Sequence, residues 1–117
     1  MLKENKTTKK DFDLFKKECK YFIDIFELNN YKIYFNHKVF DNEDAANCVV
    51  DTTSYTAWLS LNKEQTANNE DIKGFAKHEV IHLLLGRMSN QGYARFISKA
   101  EIEEAEEELT RKLEKII

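Results

Sequence analysis

Along the chain the apolar positions switch between two periods. From Asp11 to about Asn29, Phe12, Phe15, Cys19, Phe22, Ile23 and Phe26 recur every three or four residues. That spacing predicts an amphipathic helix with one aromatic-rich face. Asp11 or Asp13 can cap its start, and Asn29-Asn30 reads as its stop. The period then drops to two. Tyr31, Ile33, Phe35 and Val39 alternate with Lys32, Tyr34 and Lys38, a short run NCVVD covers 47–51, and TSYTAWLSLN covers 53–62. In the last of these Tyr55, Ala57, Leu59 and Leu61 share one face, and Trp58, Ser60 and Asn62 share the other. These runs predict a three-stranded, mainly antiparallel sheet with the last strand as a candidate edge.

The helical period returns at Asn68-Asn69-Glu70-Asp71, an N-cap followed by acids in the first turn. The predicted helix runs to Arg87 or Met88, and its middle, FAKHEVIHLLLG, is apolar on nearly all sides. Such a helix is expected to be covered by the sheet on one flank and by another helix on the other. Gly86 and the polar run from Ser89 to Gly92 suit its C-terminal turn. Ser98 and Glu101 form a capping-box pattern opening a last helix to Ile117, with Ile102, Ala105, Leu109, Leu113 and Ile116 as its stripe. The fold class is α+β.

Composition narrows the picture. At 117 residues the chain is expected to hold one domain, residues 11–117, behind a flexible N-terminus of residues 1–10 that carries four Lys. No Pro and three Gly are too few turn residues for an all-β sandwich. A balance of 18 basic against 21 acidic residues excludes nucleic-acid binding driven by a basic field. No apolar run is long enough for a membrane span, and the polar start lacks a signal-peptide core. Two cysteines without CxxC spacing suggest reduced thiols in the cytoplasm.

The chemistry lies in His78-Glu79-Val80-Ile81-His82, an HExxH motif. Histidines at i and i+4 share one helix face, so both imidazoles reach one tetrahedral zinc. Glu79 is then placed to take a proton from the zinc-activated water. Two histidines and a glutamate in the centre of an apolar helix are costly unless paired or metal-bound. The chain has three histidines and no His or Cys downstream of the motif, so the third ligand is expected to be a carboxylate of the last helix. Glu106 lies closest to the apolar stripe, four after Ile102 and three before Leu109. Glu101 and Glu108 are intermediate, Glu103 lies off the stripe, and Glu107 falls on the far side.

HEVIHLLLG, preceded by a strand ending WLSLN and followed by a helix ending EEELTRKLE, resembles small phage-encoded zincin-like metallopeptidases of the minimal gluzincin type. The resemblance spans roughly residues 10–117. It implies an N-terminal helix, a small sheet, the HExxH helix and a ligand-bearing C-terminal helix. It also implies Zn2+ held by His78, His82 and Glu106, Glu79 as base, and a peptide or protein substrate. Larger gluzincins add a second subdomain with a His or Tyr for the oxyanion. This chain is too short for one, so the expected donor is Tyr93, with Arg95 and His37 behind it. Trp58, on a strand taken as an edge, is a candidate wall of a substrate groove. The aromatic stripe and Cys48 read as core.

Three functions are compatible with these residues. The first is a zinc-dependent peptidase. The second is a non-catalytic, metal-stabilised protein-binding module. The third is a metal-free domain in which HExxH is accidental.

Overall fold

The computed structural model describes residues 6–93 and 98–116. Helix α1 (Lys9–Ile25) starts earlier than Asp11 because Thr8 is its cap. Thr8 Oγ1 accepts from the Asp11 N–H at 3.2 Å, and the Asp11 carboxylate accepts from the Thr8 N–H at 2.9 Å. This reciprocal box satisfies two helix-end donors at once. The helix also ends earlier than Asn29. The Leu28 N–H reaches back to Ile23 O (2.9 Å) and the Glu27 N–H to Asp24 O (3.2 Å). That pair is a Schellman motif, and it requires Glu27 in the left-handed region, at φ 56°. Leu28 and Ile23, which the motif brings together, are both buried.

Strands β1 (Lys32–Lys38), β2 (Ala46–Asp51) and β3 (Thr56–Asn62) form one sheet in the order β1-β3-β2. The three strands are those expected, and what differs is the central place of β3 and one strand direction. The sheet is mixed, with β3 parallel to β1 and antiparallel to β2, and β3 is its centre. Burial explains the order. Ala57, Leu59, Ser60, Leu61 and Asn62 are all buried, so the strand least able to face solvent takes the protected position. Inserting β3 between two strands that already alternate in direction makes its contact with β1 parallel.

Helix α2 (Asn69–Tyr93) opens on the expected cap, with Asn68 Oδ1 accepting from the Asp71 N–H at 2.8 Å. It runs past Arg87, so Gly86 is not a stop. A Cβ at Gly86 would lie 3.2 Å from Val50 Cγ2, so this glycine lets α2 approach β2 closely. Phe15, Cys19 and Phe22 of α1, Ala57, Leu59 and Leu61 of β3, and Ile72, Ala76, Val80 and Leu83 of α2 make one core between the helices and one face of the sheet. The other sheet face carries Tyr34 stacked on Trp58 (centroids 6.2 Å apart). Trp58 therefore lies mid-sheet and away from any groove edge. Among the described residues no helix is long and apolar enough to cross a membrane.

Helix α3 (Lys99–Ile116) opens on the expected Ser98 cap and packs against α2. Its orientation differs from the expected stripe. Ala105 and Leu109 are exposed, while Thr110 is fully buried and its hydroxyl donates to Glu106 O at 2.8 Å. The residues withdrawn from solvent are Ile102, Glu106, Glu107, Thr110, Leu113 and Glu114, so the inward face is turned from the expected stripe by roughly one residue, or about 100°. The polar atoms that α2 offers explain the turn.

Candidate metal centre

His78 and His82 stand one turn apart on α2 with their Nε2 atoms 3.1 Å from each other. The Oε1 of Glu107 lies 2.6 Å from His82 Nε2 and 3.5 Å from His78 Nε2. Three donor atoms thus form a small triangle, and these three residues can hold a metal ion. A tetrahedral zinc with N and O ligands has donor-to-donor edges of about 3.3 Å, so the triangle fits one face of that tetrahedron.

The opposite ring nitrogens are also engaged. His78 Nδ1 lies 2.6 Å from Glu114 Oε2, and His82 Nδ1 contacts Glu106 Oε2. The other oxygen of Glu106 accepts from the hydroxyl of Ser89, a buried α2 residue. A carboxylate on Nδ1 favours the tautomer with the proton on that nitrogen, which leaves Nε2 to present its lone pair to a metal ion. The two Nε2 atoms and a Glu107 oxygen thus converge on one point. So close a set of donor atoms favours a positive charge among them, from a metal ion or from a proton.

Glu106 therefore points inward as the sequence suggests, but it contacts the outer nitrogen of His82. Glu107, placed on the far side by the apolar stripe, is the carboxylate that completes the triangle because α3 is turned by one residue. Glu114 and Ser89 were not singled out from sequence. Their signal is present only as spacing: Glu114 falls eight residues, a little over two turns, after Glu106.

Glu79 is buried beside the triangle, and burial pushes its carboxyl up to about 7 against the pull of the two histidines. Burial alone would lower His82, but the hydrogen bond to Glu106 and the charges of Glu79, Glu106 and Glu107 hold it above its ordinary value. For Glu106 burial acts upward, and the His82 and Ser89 hydrogen bonds overcome it, leaving the carboxyl below its usual range. Burial, reinforced by Glu79, pushes the thiols of Cys19 and Cys48 upward, which keeps both protonated.

The triangle opens onto a cleft of about 800 Å3. Its floor is α2, with His78, Glu79 and His82; one wall is the edge strand β2, with Ala46, Cys48 and Val50; the other is α3, with Glu103, Glu106 and Glu107. His37 is elsewhere, stacked on Phe12 (4.9 Å) and bonded to Thr7. Arg95 and the side chain of Tyr93 lie outside the described residues.

Fold and site together define an α+β domain with a two-histidine, one-carboxylate donor set on an HExxH helix. No family model and no curated protein matches the chain. Among solved structures it is similar to the crystal structure of the metallopeptidase zymogen of Methanocaldococcus jannaschii jannalysin. The identity is 23%, covering 97% of this chain and 96% of that one, with a TM-score of 0.43.

Proposed function

We propose that the protein is a zinc-dependent metallopeptidase whose metal is held by His78, His82 and Glu107. The observation that carries this reading is the convergence of three metal-ligating side chains at the floor of an open cleft. A nitrogen-and-oxygen set of this geometry suits zinc. Bound zinc would supply Lewis acidity and would bring the pKa of a water ligand to about 7. Glu79 takes a proton from the attacking water on its carboxylate oxygen and delivers it to the departing amide nitrogen as the C–N bond breaks. Its burial keeps that proton from bulk solvent. The cleft between β2 and α3 takes the peptide, and β2 offers the free edge of the sheet beside it.

Three protein donors beside open space are the pattern of a catalytic zinc site, whereas structural sites are closed by four. A second reading has its own support: α3 is attached to α2 largely through these polar contacts, so a metal ion could act only as a clamp. One experiment separates them. The metal content of wild type and Glu79→Gln is measured, and both are assayed on denatured casein. About one zinc per chain in each, with cleavage by wild type alone, is expected. Equal inertness of the two zinc-loaded proteins would leave the clamp and remove the peptidase.

A further inference from the structure

We propose that Glu106, braced by Ser89, and Glu114 are positioning residues that fix which nitrogen of each motif histidine faces the metal. The inference rests on the metal-centre reading above and deepens it. A neutral imidazole has one donor and one acceptor nitrogen, and rotation of the ring exchanges their places. Only one of these states points a lone pair at Glu107. The structure selects it twice, by separate contacts.

At His82 the selector is Glu106. One of its oxygens meets Nδ1 and the other meets the hydroxyl of Ser89, so both are used and neither is left to ligate. Ser89 sits on the same helix as His82, seven residues on, and is 6% exposed. It therefore holds Glu106 from within the protein. At His78 the selector is Glu114, 2.6 Å from Nδ1. Its backbone is anchored in turn by Lys77, whose Nζ donates to Glu114 O at 2.8 Å. Glu106, Glu107 and Glu114 all belong to α3, so one rigid element supplies the ligand and both orienting groups. A carboxylate on the far nitrogen also makes the near one a stronger base.

Glu106→Ala, Glu106→Gln, Glu114→Ala, Ser89→Ala, Glu107→Ala and His78→Ala are prepared metal-free and matched to wild type by far-ultraviolet circular dichroism. Zinc affinity is read by competition with a chromogenic chelator. Glu106→Ala and Glu114→Ala are expected to bind roughly 10- to 100-fold more weakly than wild type. Glu106→Gln, whose amide oxygen still accepts from Nδ1, recovers most of that loss, and Ser89→Ala shows a smaller loss of the same sign. Cobalt(II) absorption separates positioning from ligation: the visible bands keep their positions in Glu106→Ala and change in Glu107→Ala. Histidine nitrogen NMR of the zinc-loaded wild type at pH 8 needs no variant to fold, and is expected to show the proton on Nδ1 and the metal on Nε2 of both rings.

Wild-type affinity in both Glu106→Ala and Glu114→Ala would overturn the proposal. So would protons on Nε2, or cobalt bands that change in Glu106→Ala and not in Glu107→Ala. Undiminished zinc affinity in His78→Ala and Glu107→Ala is a different failure, because it removes the metal centre itself and this inference with it.

Discussion

At the scale of single residues, polar side chains fix this fold where apolar ones stop. Asn62 is fully buried, and its side chain donates to Asp44 O at 2.8 Å and accepts from the Glu64 N–H at 2.9 Å. It thereby ties the lip of the cleft to the end of β3. His37 works at the same end of the sheet. Thr7 spends its one hydroxyl proton on Asn62 O, so His37 Nε2 donates to Thr7 Oγ1. Burial, with Lys63 adding to it, lowers the His37 pKa, and Asp11 opposes. The unfolded chain therefore binds this proton near pH 6.5, and the folded chain binds it only at lower pH. His37 thus costs nothing above about pH 6.5 and destabilises the fold progressively as pH falls through the folded value. The difference in urea midpoint between wild type and His37→Gln is expected to move against the wild type between pH 7.5 and 5.5. A difference that stays constant over that range would contradict the assignment. HExxH was legible at this scale because its spacing states its chemistry. The place of Glu107 beside the two histidines was not, because a helical wheel scored by apolarity assumes that the apolar side turns inward.

At the scale of elements, caps were the most legible features. Asn68 with Asp71 and Ser98 with Glu101 both form as the sequence indicates, because such boxes depend only on residues three apart. The end of α1 was hidden, since its left-handed position holds Glu27 where a glycine would have announced it. That position gives a direct expectation. Relief of backbone strain outweighs the greater unfolded-chain entropy of glycine, so Glu27→Gly should stabilise the protein by about 0.5–1 kcal/mol. Urea denaturation reads it, and a destabilised variant would show that the Glu27 side chain contributes more than its backbone costs. Strand order was not legible, because alternation reveals a strand and its two faces but not its neighbours. The near-complete burial of β3 is the tertiary fact that decides it.

At the scale of the whole molecule, α3 stands apart. The apolar core is built from α1, α2 and the sheet, and the one fully buried α3 side chain among the described residues is Thr110. What holds α3 is largely the ring of contacts around His78 and His82. In the proposed zinc protein, chelation is then expected to free this helix while the core persists. Hydrogen exchange should show protection lost over Lys99–Ile116 and kept in β3 when the metal is removed. Equal loss in both would mean that metal and core unfold together.

Trp58 turns this division into a measurement. It is the chain's one tryptophan, and it sits against Tyr34 on the sheet face opposite the helices, across the sheet from the cleft. Its emission therefore reports the sheet and is blind to α3, whereas ellipticity at 222 nm follows every helix. A metal titration that changes ellipticity and leaves the tryptophan spectrum still would place the response in the helices and outside the sheet, as freeing of α3 requires, with no label added to the protein.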